Sequence, residues 1–190
     1  MNRISNEKFY YSAIAEHGLT AEGLRWHSYR SQEIRFHQIM SLLPSDTVSL
    51  VDAGCGFGDL YLYICEHRKE PVSYVGLDSL ELMVIETRER TGQPVFQCDI
   101  LRGSLVKGEF YVCSGALNLL TQKDAYRFIE RCYTISDRGI IFNFLEGEKQ
   151  ASVYNYFQLF QIENLAEKLG ARLKFRRGYY EHDCTAAVYK

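Results

Sequence analysis

One segment constrains the fold of this chain more than any other, because a short apolar run is followed there by three alternate glycines. Residues 48–53 are mostly apolar and long enough for one buried strand. Gly54, Gly56 and Gly58 follow, and glycine permits turns that side chains forbid and lets a ligand approach the backbone closely. From Leu60 onward the residues are mostly apolar and can face a sheet as a helix, whose first N–H groups lack partners. The segment therefore predicts a strand, a cofactor-binding loop and a helix.

The spacing of the glycines distinguishes among cofactors. A dinucleotide pyrophosphate is bound by G-x-G-x-x-G, whereas this loop has G-x-G-x-G followed by Asp59. An acid in the first helical turn suits the helix dipole but disfavours a pyrophosphate at the same place. The G-K-[ST] of a P-loop is absent from the loop. We therefore expect a cofactor without phosphates. At the strand end, Asp52 would either hold the loop through its N–H groups or meet a ligand ammonium.

Two stretches together carry a resemblance to a known family. Residues 51–59, VDAGCGFGD, and residues 74–83, YVGLDSLELM, resemble the glycine loop and second strand of small bacterial class I methyltransferases that use S-adenosylmethionine (SAM). The resemblance is strong over about residues 45–144 and weak elsewhere. It implies a Rossmann-like α/β fold with a mostly parallel seven-stranded sheet, a C-terminal antiparallel hairpin and two preceding N-terminal helices. It also implies SAM as the cofactor and methyl transfer as the reaction.

The spacing of apolar runs and breakers predicts the elements of that fold. Strands at 73–78, 94–98 (or 99), 110–114 and 139–144 alternate with helices, so the sheet should be mostly parallel with right-handed crossovers. We expect a turn or loop rather than a helix at 101–108. The strands at 173–177 and 185–189 have no helix between them and should form the hairpin. The predicted helices are 6–17, 31–43 with Ser31 as N-cap, 59–68, 80–91, 122–135 and, after a polar loop at 146–150, 154–169.

Composition limits the classes of partner. A chain of 190 residues fits one domain, here a helical cap at 1–44 and a cofactor-binding core at 45–190. The net charge of −2 gives no reason to expect nucleic acid or an anionic membrane, and no apolar run approaches a membrane span. The six cysteines include no C-x-x-C pair, so we expect reduced thiols in a cytoplasmic protein and no metal site. A monomer and a homodimer both remain open.

The candidate cofactor residues follow the ends of parallel strands, where ligands bind in open sheets. Asp78 ends the second strand and can accept both ribose hydroxyls of the cofactor, the role that the family gives to this acid, or it can cap the next helix. Asp99 can accept the adenine amino group while the Ile100 N–H donates to a ring nitrogen, although Asp99 also suits a solvated turn. The predicted cofactor set is Asp52, Gly54, Cys55, Gly56, Gly58, Asp78, Ser79, Leu80, Met83, Cys98, Asp99, Ile100, Ser114 and Arg35.

Side chains before the first strand offer further contacts. The resemblance implies that the N-terminal helices lie over the cofactor and help to form the substrate pocket. Five of these side chains either only cover the open edge of the domain or include one that contacts the methionine end of the cofactor: Tyr10, Tyr11, Trp26, Arg35 and Phe36. Arg35 can pair bidentately with the methionine carboxylate of SAM. Asn118, after the fourth strand, joins Tyr10 and Trp26 as a possible acceptor contact.

The residues that would act on the acceptor are less defined. Nucleobase and amide N-methyltransferases carry an Asn/Asp-Pro-Pro-Tyr sequence after the fourth strand, where this chain has SGAL at 114–117. His17, His27 or Asp183 are candidate general bases, or there is none. Asn143 and Tyr154 are further possible acceptor contacts. The basic residues at 172, 174, 176 and 177 either guard a solvated edge strand or meet a phosphate-bearing substrate or RNA.

The sequence thus predicts a SAM-dependent methyltransferase that acts on a small molecule by in-line displacement. The alternatives are a non-catalytic domain that binds SAM, a nucleoside or a partner and, less supported by the loop, an NAD-dependent oxidoreductase. The acceptor and its reacting atom remain open at this point.

Overall fold

In the computed structural model of the chain, residues 6–148 and 153–190 are described. Six α-helices alternate with eight strands in this part. The helices are α1 (Asn6–His17), α2 (Tyr29–Leu42), α3 (Asp59–His67), α4 (Glu81–Thr91), α5 (Gln122–Ile135) and α6 (Leu159–Lys168). The strands are β1 (Ser49–Ala53), β2 (Ser73–Asp78), β3 (Val95–Gln97), β4 (Phe110–Cys113), β5 (Gly139–Glu146), β6 (Tyr156–Phe157), β7 (Arg172–Arg177) and β8 (Asp183–Tyr189). A 3-10 turn spans Ala116–Leu119.

The sheet has the order β3-β2-β1-β4-β5-β8-β7, with β6 beside β5. Strands β1 to β6 pair in parallel, whereas β8 pairs antiparallel with both β5 and β7. The predicted fold is therefore confirmed, including the terminal hairpin and the loop at 101–108. The prediction of seven strands lacked β6, because a strand of two residues leaves no alternation in the sequence.

Two layers of helices cover the sheet. Leu50 of β1 packs with α2 and α3 in one apolar cluster, and the next residue, Val51, packs with α5 and α6 in the other. This alternation is the period of two in a strand. All four residues of β4 are buried, as expected for a central parallel strand covered on both faces.

Two predicted helix starts were wrong. Ser28, not Ser31, is the N-cap of α2, and the two serines bond reciprocally as a capping box. Residues 154–158 are not helical. The Asn155 N–H donates to the Asn118 carbonyl oxygen at 2.7 Å and Tyr156 pairs with Leu145, so contacts with the sheet edge delay α6 until Leu159.

The remaining element bounds agree with the prediction to within two residues. Part of the predicted loop, at 149–150, lies outside the described residues. Within the described ranges, no helix is long and apolar enough to cross a membrane.

Candidate cofactor and acceptor site

A cavity of about 590 Å³ lies at the carboxyl ends of β1, β2 and β4. Residues of α1 and of the connection to α2 line it from above, including Tyr10, Leu24 and Trp26. Its size is that of a small-molecule or cofactor site. The predicted residues that line it are Tyr10, Trp26, Arg35, Asp52, Gly54, Cys55, Gly56, Asp78, Ser79, Leu80, Met83, Cys98, Asp99, Ile100, Ser114 and Asn118.

The glycine loop is shaped by left-handed backbone and by close packing. Gly54 has φ +84° and Gly56 has φ +55°. A Cβ at Gly54 would lie 2.7 Å from the Ala116 Cβ, and one at Gly56 would lie 3.1 Å from Leu24. Side chains at these positions would therefore both strain the loop and push its neighbours across the cavity.

Asp78 holds the loop in place. Its Oδ2 accepts a hydrogen bond from the Gly56 N–H at 3.0 Å, and its Oδ1 accepts one from the Leu80 N–H at 3.0 Å. Asp78 thus ties the loop to Leu80, the residue before α4. Leu80 is the N-cap of α4 and no side chain caps this helix start, so the predicted capping role of Asp78 was wrong. The alternative in which Asp52 holds the loop was wrong, because in the structure the Gly56 N–H donates to Asp78.

Asp52 is a second buried carboxylate, 2% exposed, on the cavity lining. Its Oδ2 accepts a hydrogen bond from the Tyr74 hydroxyl at 2.9 Å. Burial raises the pKa of Asp52 to about 7 and that of Asp78 to about 6, and the N–H donors around Asp78 offset part of its rise. Two carboxylates with raised pKa values in one cavity favour a cationic ligand, because a cation stabilises their charged forms.

Gly58 does not line the cavity, so the structure does not bring it together with the other predicted cofactor residues. It is the N-cap of α3 at φ +79°, and a Cβ there would lie 2.8 Å or less from the methyl groups of Thr87 and Thr91 on α4. The third glycine therefore serves the packing of α3 against α4. The next residue, Asp59, does line the cavity and pairs with Arg90 at 2.8 Å.

Residues after β3 form one end of the cavity with the start of α4. The Asp99 carboxylate accepts a hydrogen bond from the Leu101 N–H at 2.9 Å, so it serves as the turn acid of the predicted alternative while still lining the cavity. Tyr10 of α1 packs on a small apolar cluster that includes Leu80 and Met83. This end combines apolar side chains with the polar residues Ser79 and Asp99, a mixture that suits a heterocyclic base.

Arg35 reaches the cavity but has a partner of its own. The guanidinium lies 2.6 Å from the Asp183 Oδ2 on β8 and stacks over the rings of Trp26 and Tyr180, at 4.6 and 5.6 Å. The pair joins α2 to the sheet and neutralises the arginine. Burial raises the pKa of Asp183, and Arg35 opposes this rise.

Three buried polar atoms of lining residues have no hydrogen-bond partner within the described residues. They are the Gln32 Oε1, the Arg35 Nε and the Asn118 Oδ1. Such atoms are uncommon in native proteins because their lost hydration costs free energy, so they indicate a polar ligand. Gln32 was missed in the sequence, although it precedes Arg35 by three residues and therefore shares its helix face.

The other end of the cavity is lined by Trp26, Asn118, Leu145 and Tyr154. Of the candidate bases, only His27 lines it. His17 is exposed beside Glu16, and Asp183 is paired with Arg35 and faces a second, more open hollow.

Asn143 lies beneath the cavity floor rather than on it. It accepts a hydrogen bond from the Ser114 hydroxyl at 2.8 Å and donates to Thr185 at 2.6 Å, so it supports Ser114. The expectation that Asn143 contacts an acceptor was therefore wrong. Sequence reasoning also missed several apolar lining residues, because only the fold brings them together. They are Phe9, Leu24, Leu120, Phe128 and Leu145.

The basic residues of β7 separate into two groups. Arg177 is paired with Glu146. Arg172 and Lys174 lie over the ring of Tyr189 at 5.8 Å, on the exposed edge of the sheet.

Among the described residues, no group of three His, Cys, Asp or Glu side chains could hold a metal ion. All six cysteines are free thiols.

Comparison with known proteins identifies the fold. No family model and no curated protein matches the sequence. Magnesium protoporphyrin IX methyltransferase (ChlM) from Synechocystis PCC 6803, solved with bound SAH, aligns over 98% of this chain and 95% of that chain, with 15% identity and a TM-score of 0.69. The pyocyanin biosynthetic protein PhzM aligns over 95% of this chain and 62% of that chain, with 17% identity and a TM-score of 0.72.

The small RNA methyltransferase HEN1 aligns over 85% of this chain and 25% of that chain, with 15% identity and a TM-score of 0.64. At such identities the likeness shows the class I methyltransferase fold. Because this fold serves acceptors as different as a porphyrin and a small RNA, the acceptor has to be argued from the site.

Proposed function

We propose that the chain is a SAM-dependent methyltransferase that acts on a small molecule. The observation that carries the proposal is the pair of carboxylates, the buried Asp52 and the half-buried Asp78, beside the left-handed Gly54 and Gly56 in one cavity. This arrangement supplies hydroxyl acceptors, a close backbone approach and negative charge for a ligand that carries ribose and positive charge. Solved structures of the same fold contain SAH or SAM.

The lining residues fit the parts of SAM. Each Asp78 oxygen already accepts one N–H, and a carboxylate oxygen has a second lone pair for a ribose hydroxyl. The adenine would lie between Ile100 and Met83, with Asp99 at its amino group. Gly54 and Gly56 would face the methionine part.

The partnerless atoms of α2 extend this fit to the amino-acid end of SAM. The Gln32 Oε1 can accept from its ammonium, and the Arg35 Nε can donate to its carboxylate. Because Asp183 already neutralises Arg35, one hydrogen bond takes the place of the bidentate pair that the sequence predicted.

When bound, SAM supplies a methyl group on a sulfonium, which is already a good leaving group. The protein therefore has to hold the acceptor atom in line with the methyl group and exclude water. Trp26 and Tyr154 offer ring surfaces for the acceptor, and the Asn118 Oδ1 can accept a hydrogen bond from its hydroxyl or amine. His27 lines the same cavity, so it is the candidate base that can take the proton in this proposal.

A small acceptor is supported by the volume of the cavity, about 590 Å³, and by the neutralised Arg35. The proposal includes one domain, with residues 1–44 as a cap on a core at 45–190. It also includes a cytoplasmic location, supported by six unpaired cysteines. A monomer and a homodimer are both compatible with it, and size-exclusion chromatography with light scattering distinguishes them.

Calorimetric titration with SAM, SAH and NADH tests the proposal. Both adenosyl ligands should bind, and Asp78→Ala should abolish binding while Asp46→Ala, at an exposed carboxylate paired with Arg138, should not. Binding of NADH alone would support an oxidoreductase. If the folded protein binds none of the three ligands, the cofactor assignment is overturned. Binding without methyl transfer to a panel of small alcohols, phenols and amines would favour a non-catalytic binding domain.

A further inference from the structure

Tyr74 is a fully buried tyrosine near the start of β2, and its hydroxyl donates to Asp52, which lines the cofactor cavity. In the parallel register Tyr74 pairs with Leu50, and Asp52 pairs with Gly76. Tyr74 and Asp52 are therefore diagonal neighbours on one face of the sheet. Gly76 has no side chain to separate them, and the phenol hydroxyl lies 2.9 Å from the Asp52 Oδ2.

The groups around Asp52 differ in what they do to its charge. Burial raises the pKa of Asp52 most. The charges of Asp78 on β2 and Asp59 on α3 raise it further. The thiols of Cys55 and Cys113 also face Asp52, and their own burial keeps them protonated because their pKa values are raised. Tyr74 is the neighbour whose hydrogen bond lowers the pKa of Asp52.

The hydroxyl of Tyr74 stays a donor over the neutral range. Burial and the charge of Asp52 raise the pKa of Tyr74 well above its ordinary value. A group that never loses its proton can stabilise the carboxylate at every pH at which the carboxylate ionises. A phenylalanine would fill the same space, so packing alone does not require the hydroxyl.

We propose that Tyr74 is a positioning residue for cofactor binding, which fixes the Asp52 carboxylate at the cavity floor as the anion that meets the positive charge of SAM. This inference rests on the proposed function. Asp52 touches the ligand, and Tyr74 acts through Asp52. The consequence is selectivity for cationic adenosyl ligands over uncharged ones, such as methylthioadenosine, which lacks the amino-acid part.

The first test needs no cofactor. We would follow the titration of the Asp52 carboxyl carbon by NMR in the wild type, in Tyr74→Phe and in Tyr111→Phe. Tyr111 is a matched control, because it is equally buried on β4 and its hydroxyl donates to the Val106 carbonyl oxygen at 2.6 Å, away from the cavity. The Asp52 midpoint should rise by about one pH unit in Tyr74→Phe only, the loss expected for a hydrogen bond to a charged group. Equal midpoints in all three proteins would overturn the proposal.

The second test measures binding against pH. If SAM requires ionised Asp52, a rise of about one unit from a pKa near 7 lowers SAM affinity about fivefold at pH 7 and hardly at all at pH 9. Methylthioadenosine affinity should stay within about twofold at both pH values. A loss of affinity that is equal for both ligands, or independent of pH, would contradict the positioning role.

A variant that keeps the size of the side chain guards against misfolding. Incorporation of 3-fluorotyrosine at position 74 makes the phenol a stronger donor, so the Asp52 midpoint should fall rather than rise. An unchanged or raised midpoint would count against Tyr74. Failure of the wild type to bind SAM would overturn the proposed function, whereas the carboxyl titration judges the link between Tyr74 and Asp52 separately.

Discussion

Asp52 and Asp78 lower the stability of the ligand-free protein at neutral pH, because burial raises both pKa values above those of an unfolded chain. For such acids the protonated form is favoured by folding. The stability that the protein gains from holding these acids protonated is complete below about pH 4. It is lost as the pH rises to about 7. A binding site for a cation thus carries a cost in the absence of the cation.

Asp52→Asn should therefore stabilise the ligand-free protein at pH 8, by on the order of 1–3 kcal/mol. The gain should shrink towards pH 4, where the aspartate is protonated and no longer costs stability. Urea unfolding at both pH values measures this, and SAM binding should be lost in the same variant. A variant less stable than the wild type at pH 8 would show that the burial cost of Asp52 is already compensated.

Asn118 should affect turnover more than cofactor binding, because its partnerless oxygen is assigned to the acceptor. For an acceptor found in the panel, Asn118→Leu should lower kcat/KM about 10- to 100-fold, the loss expected for one hydrogen bond to a positioned substrate, with SAM affinity within about threefold. Asn155→Leu is the control, since Asn155 also has a partnerless buried side-chain nitrogen but does not line the cavity. Equal losses in both variants would place Asn118 in a structural role.

At the scale of elements, one buried ion pair connects α2 to the sheet. Asp183→Asn leaves the Arg35 charge buried without its partner and should destabilise the protein by about 3–5 kcal/mol. Adding Arg35→Met should recover part of that loss, because no uncompensated charge remains. The control is Glu146→Gln, at the more exposed pair with Arg177, which should cost about 1 kcal/mol or less. Chemical unfolding of the wild type, Asp183→Asn, Arg35→Met and the double variant provides the coupling free energy between the two side chains. A coupling free energy near zero would contradict the linking role of the pair.

At the scale of the molecule, ligand binding should stabilise the fold and order the cap over the cavity. SAH at 100 times its Kd adds about 2.7 kcal/mol. That raises the Tm of a protein of this size by roughly 5–11 °C.

Amide exchange should slow in α1 and at residues 19–28, which cover the cavity, and stay unchanged in α6 on the opposite layer. Uniform slowing across the chain would indicate global stabilisation without closure of the cap.

Most of the fold and part of the candidate site could be predicted from local sequence patterns. Gly54, Gly56 and Asp78 were predictable because the loop spacing and the strand-end acid are short-range features. The packing of Gly58 against α4 was not predictable, since its neighbours there are about thirty residues away in the chain. Gln32 was missed because a glutamine on a helix has no distinctive pattern until the helix is placed over a cavity.

The sequence by itself determined the alternation of strands and helices, the glycine turn and the acids at strand ends, because each depends on backbone preferences and periodicity within a few residues. Only the tertiary structure decided which carboxylate holds the loop, that Arg35 is paired with Asp183, and that Tyr74 supports Asp52. These are contacts between residues 22 to 148 positions apart. They form only when the sheet order brings separate segments together, and burial then changes the charge preferences of the groups that meet.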